Sequence, residues 1–164
     1  MFKFEKITNK NTGFGLIEVM VGVTVLTVSL YGISFFFQKA LETSRETGTV
    51  VQASFLLEEG FDAIKSLRDG GWQASIVSLS VGTDYYLNFT GTVWETTTTN
   101  TFVDGFFERK FVLGNVYRDV NDDIAPSGNL DAGSRLVTVT VSWNNKGATT
   151  TRSMDAYVAD IFAN

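Results

Sequence analysis

From Phe14 to Phe37 the chain carries a single charged side chain, Glu18. As a helix, about 24 residues at about 1.5 Å each extend roughly 36 Å, enough to cross a hydrocarbon core of about 30 Å. Of 164 residues in all, those that follow the run suffice for one domain of ordinary size. Ahead of the run, Lys3, Lys6 and Lys10 outweigh Glu5. A basic flank predicts that the N-terminus stays cytoplasmic and that the remainder is exported.

The run does not read as a secretory signal peptide. Such signals have an apolar stretch of about 7 to 15 residues and end at a small-residue cleavage site. This run is longer and ends in Phe35, Phe36, Phe37, Gln38 and Lys39. A plain single-pass anchor explains the length and the lysines but leaves Glu18 without a purpose. A charge at mid-bilayer costs about 2.5 to 3.5 kcal/mol and so usually has a functional reason. Near the cytoplasmic end, snorkelling lowers that cost.

The stretch Thr12-Gly13-Phe14-Gly15-Leu16-Ile17-Glu18-Val19-Met20 resembles the prepilin signature of type IV pilins and type II secretion pseudopilins. That signature is a short basic leader ending in Gly, then Phe, then Glu at the fifth position of the processed chain, with the apolar helix following at once. Gly13, Phe14 and Glu18 occupy the fixed positions, and Gly15 stands where Thr or Ser is more common. The resemblance implies that a prepilin peptidase cleaves between Gly13 and Phe14 and that the new amino group on Phe14 is N-methylated. It also implies that Glu18 neutralises the N-terminal amine of a neighbouring subunit during assembly. A pair of poorly solvated charges would then set register, as buried polar groups do in coiled coils.

Beyond the run, Val50, Ala53, Leu57, Phe61, Ile64 and Leu67 step by three or four and form one apolar stripe. Glu58, Glu59, Asp62, Lys65 and Arg68 lie mostly off it. The pattern predicts that the helix continues and buries one face against its own domain, with Gly48 as a bend and Gly70-Gly71 as the stop. Val137, Val139, Val141 and Trp143 alternate with polar residues, a half-buried strand. The turn Asn144 to Gly147 and a returning strand over Thr149 to Val158 make a hairpin. Phe106 to Val116, Asp84 to Phe89 and Thr92 to Glu95 are further strand candidates. The expected fold is therefore α+β, a long N-terminal helix packed on a C-terminal antiparallel sheet. Its organisation reads as a leader at 1–13, a transmembrane helix at 14–37, an amphipathic helix at 38–69 and a β-rich head at 70–164. Arg135 to Trp143 resembles the head of V-like minor pilins.

Chemistry is sparse. The chain has no Cys and no His, which removes disulfides, thiolate zinc sites, the usual general base and the commonest transition-metal ligand. The expectation is that it is not an enzyme. A net charge of −5 argues against nucleic acid as a partner. The one candidate for an ion is the acidic loop, where Asp119, Asn121, Asp123 and Asp131 supply oxygen ligands of the kind Ca²⁺ takes. The match to an EF-hand loop fails at its twelfth position, Leu130, and a solvated turn is the competing reading. Trp72, Trp94 and Trp143 read as core or subunit contacts.

The resemblance implies a filament subunit, a minor pilin or pseudopilin, with prepilin peptidase and other pilin-like subunits as partners and membrane lipid around 14–37. It implies residence in the cytoplasmic membrane, N-terminus inside, and then in an extracellular or periplasmic filament. The missing Cys and the absence of Pro from the apolar run disfavour a major pilin. The rival is a membrane-anchored adhesin or DNA-uptake receptor that never enters a filament.

Overall fold

The computed structural model describes residues 15–162. They form one long helix followed by a six-stranded antiparallel sheet. The chain divides between Thr47 and Gly48 into two compact units.

Helix α1 runs Leu16–Gly70. From Leu16 to Phe37 it is mostly apolar around its circumference and every residue is exposed. A helix that is hydrophobic all round needs an apolar surrounding, and this one is long and apolar enough to cross a membrane. Its hydroxyls are partly satisfied from within. Thr24 Oγ1, Thr27 Oγ1 and Ser29 Oγ donate to the carbonyls of Met20, Val23 and Val25 at 2.8, 2.8 and 2.7 Å. Such back-bonding spares the hydroxyl proton where no water is available. The pair between Lys39 Nζ and Glu42 Oε2, at 2.7 Å, marks the return to polar sequence.

In the second unit the predicted stripe is the packed face. Ala53, Leu57, Phe61 and Ile64 are buried, and Val50 and Leu67 lie half-buried against the same core. Gly60 and Ala63 join them. The helix passes through Gly48 and ends at Gly70, and the left-handed Gly71 (φ 146°) turns the chain away. The segment just after it is not yet β. A π-helical turn over Gln73–Val77 seats Ile76 in the core beside Trp72.

The strands are β1 (Tyr85–Phe89), β2 (Trp94–Thr97), β3 (Glu108–Arg118), β4 (Ile124–Ala125), β5 (Asn129–Asn145) and β6 (Ala148–Ala159). Their order is β2-β1-β3-β5-β6, with β4 paired to β3. Every predicted strand is present, with ends shifted by one or two residues. The exception is β5, which starts well before Val137 because Arg118 to Val116 pair with Asn129 to Asp131 across a bulge. The terminal hairpin turns more tightly than the sequence pattern suggested. Asn145 already pairs with Ala148, so the turn is Lys146-Gly147, both with positive φ. Asn144 Oδ1 accepts the Gly147 N–H at 2.9 Å and closes it.

Strand side chains alternate between faces. Phe111 and Leu113 of β3, with Val137, Val139, Val141 and Trp143 of β5, make the buried face. The stripe of α1 covers it. Trp72 and Trp143 are core residues and Trp94 is packed at the core's edge.

Candidate functional site

Of the three residues carrying the N-terminal motif, Gly13 and Phe14 lie outside the described residues. Glu18 lies in the first turn of α1, exposed, with no cation beside it among the described residues. Its backbone N–H donates to Gly15 O at 2.9 Å. A carboxylate in a first helical turn gains about 0.3 to 1 kcal/mol from the unsatisfied N–H groups there. The carboxylate remains open to a cation from outside.

The acidic loop is organised differently from a metal site. Asp119 Oδ1 accepts the backbone N–H groups of Asn121 and Asp123 at 2.8 and 3.1 Å. That is a side chain holding its own turn. Asp131 lies across β3 and β5, where its Oδ2 accepts from Arg118 Nε at 2.7 Å and its Oδ1 from the Gly133 N–H at 2.9 Å. Arg118 Nη1 also donates to the carbonyl of Asp122 at 2.8 Å. The cation that the loop gathers around is therefore a guanidinium. Among the described residues no group of three Asp, Glu, His or Cys side chains could hold a metal, so Asp119, Asp123 and Asp131 do not form such a group. The hydrogen bond from Arg118, helped by Ser134 and Gly133, holds the Asp131 carboxyl below its ordinary range.

Two clusters have no motif in the sequence. The first is Arg109, a β3 residue on the same face as Phe111 and only 4% exposed. Its Nη1 lies 2.9 Å from Glu59 Oε2 of α1, and its guanidinium lies over the Trp94 ring, 5.2 Å from the centroid. The contact with Glu59 is ionic without hydrogen-bond alignment, and Nε has no partner among the described residues. Its parity with Phe111 was the available signal, since an odd-numbered β3 residue points into the core. The second lies on the outer face. The Glu108 carboxylate accepts from Tyr86 Oη, Asn100 Nδ2 and Ser142 Oγ at 3.1, 3.2 and 3.1 Å. Burial, then the bond to Glu108, pushes the Tyr86 phenol above its ordinary value. Beside it Lys110 Nζ donates to Asp84 Oδ2 at 2.7 Å, which raises the lysine. These groups satisfy one another and tie β1, β3 and β5 together.

On the same outer face, near β4, is a shallow cleft of about 410 Å³ between Tyr117, Ile124, Pro126, Leu136 and Tyr157. No charged side chain lines it. Comparison of the chain with protein-family models, curated proteins and solved structures gives no match.

Proposed function

We propose that this chain is a structural subunit of a type IV pilus or type II secretion-like filament, of the minor pilin or pseudopilin kind. A prepilin peptidase removes residues 1–13, Phe14 becomes the N-methylated first residue, and the apolar helix holds the subunit in the cytoplasmic membrane with its N-terminus inside. The subunit later packs into a filament through that helix. The β-sheet head faces the outside.

One observation carries the reading. A single helix buries nothing along its apolar run, residues 16–37, and then buries an apolar stripe against an antiparallel sheet. An anchor alone requires only the first part. The prepilin-like motif directly ahead of the helix, and Glu18 awaiting a cation in its first turn, add what an anchor leaves unused. The deciding measurement is the N-terminal mass of the protein recovered from its own cells. A chain beginning at N-methylated Phe14 supports the reading. A chain beginning at Met1, in cells with an active prepilin peptidase, overturns it in favour of a plain anchor.

A further inference from the structure

The polar side chains of the apolar helix are not scattered. Between Val19 and Gln38 they are Thr24, Thr27, Ser29, Tyr31, Ser34 and Gln38. At about 100° per residue, all but Ser29 fall within an arc of about 80°, spaced three and four apart. Residues Glu18, Gly22, Val25 and Ser29 lie on the opposite side. Every one of these positions is exposed.

Hydrogen bonding separates the seam from the rest. Ser29, the polar residue off the arc, is satisfied by its own turn through the Val25 carbonyl. Thr24 and Thr27 donate inward in the same way, which leaves their oxygen lone pairs unused. Tyr31 Oη, Ser34 Oγ and the Gln38 amide have no hydrogen-bond partner among the described residues. The seam therefore presents unfilled acceptors at Thr24 and Thr27 and unfilled donors and acceptors at Tyr31 and Ser34 within the apolar run, and Gln38 continues it one residue past the end of that run.

We infer that the Thr24–Thr27–Tyr31–Ser34–Gln38 seam pairs this helix with the same seam of a second copy while both are in the membrane. The inference rests on the proposal that the helix lies in a bilayer. Acyl chains offer no hydrogen-bond partners, so a polar stripe there is satisfied by another helix. The seam is self-complementary at Tyr31, Ser34 and Gln38, whose hydroxyl and amide groups both donate and accept; Thr24 and Thr27, whose protons are already committed inward, extend the contact by packing. Two copies inserted in the same direction bring equal levels together. Spacing of three and four is that of left-handed pairs crossing at about 20°.

The absence of native Cys makes the test clean. Full-length single-Cys variants are placed in phosphatidylethanolamine–phosphatidylglycerol vesicles and oxidised: Thr27→Cys and Ser34→Cys on the seam, Val25→Cys and Phe36→Cys off it. Alkali-resistant membrane association is scored for each. Seam positions should cross-link about threefold to tenfold better, the range expected for hydrogen bonds between membrane helices. The combined change Tyr31→Phe, Ser34→Ala and Gln38→Leu should lower cross-linking at Thr27→Cys by a similar factor without weakening insertion, and Ser29→Ala should not. Inserted variants that cross-link equally on all faces, or best at Val25→Cys and Phe36→Cys, overturn the seam and leave the membrane reading intact. A chain that alkali extracts from the vesicles overturns the membrane reading and the seam with it.

Discussion

Gly60 of α1 lies so close to Val139 of β5 that a β-carbon on the glycine would stand 2.9 Å from Val139 Cγ1. Val139 is fully buried and, being β-branched, stiff at χ1. It has little room to give way. Gly60 therefore sets how closely the helix approaches the sheet.

Substituting Gly60→Ala brings two effects of opposite sign. Helix propensity gains about 1 kcal/mol, while overpacking a close-packed core costs about 1 to 3 kcal/mol. The net change should be destabilising by up to about 2 kcal/mol. Thermal melting of the full chain in detergent checks it. Val139→Ala alone should also destabilise, by opening a cavity. Combined with Gly60→Ala it should cost less than the sum of the two, because the added methyl occupies the space the valine vacates. Strict additivity would show that the two residues do not meet.

The ion pair between Glu59 and Arg109 leads to an asymmetric prediction. Arg109 is almost fully enclosed whereas the Glu59 side chain is 48% exposed. Removing Glu59 strands a buried guanidinium, with only the Trp94 face to balance it. Removing Arg109 leaves a carboxylate that water can solvate. Glu59→Ala should therefore destabilise by about 1 to 3 kcal/mol, below the range for a fully buried pair because Glu59 is half in water. Arg109→Met, which keeps most of the volume, should cost less. Urea denaturation of the two variants checks the order, and a larger loss for Arg109→Met would contradict it.

How far these contacts were legible in the sequence depends on their range. The stripe Val50 to Leu67 was readable because its period is local and its packing follows that period. The strand Val137 to Trp143 was readable for the same reason. Gly60 was not, because a glycine within a helical pattern does not announce that a valine about eighty residues later needs its space. Arg109 was hidden by the expectation that charged residues face out. Only pairing β3 with β5 places it beneath the helix. The early half of β5 was missed because Asn129 to Arg135 does not alternate, and its pairing is made across a bulge. The acidic loop reads in sequence as a cluster of ligands. The residue that organises it, Arg118, is the cation already present.

That arrangement makes the loop sensitive to acid. The folded Asp131 carboxyl titrates below its ordinary value of 3.8, chiefly because of the hydrogen bond from Arg118. A depressed folded value means that the unfolded chain binds the proton first as pH falls. The contribution is therefore fully present above about pH 4 and is lost as pH drops through the folded value. Asp131→Asn should lower stability at neutral pH, and the gap to the unaltered protein should close as the solution is acidified below about pH 4. Melting temperatures taken from pH 7 down to strong acid check it. A gap that stays constant throughout would mean that Asp131 acts through shape rather than charge.

Glu18 yields the prediction that separates filament subunit from anchor. Its carboxylate is in the first turn of α1 and has no cation of its own among the described residues. If cleavage at Phe14 creates an amine and a neighbouring subunit's Glu18 neutralises it, loss of the carboxylate leaves a poorly solvated positive charge at every subunit contact. Membrane insertion makes no use of that pairing and loses a charge that lipid disfavours. Glu18→Ala should therefore insert at least as well as the unaltered chain but enter sheared filaments at a small fraction of its level. Glu18→Gln should behave like Glu18→Ala, because an amide hydrogen-bonds without neutralising. Glu18→Asp should retain part of the function. The measurement is the ratio of filament to membrane signal for the three variants expressed beside the other subunits. Ratios equal to that of the unaltered chain for all three would leave Glu18 without a role in assembly and would favour a single-pass anchor.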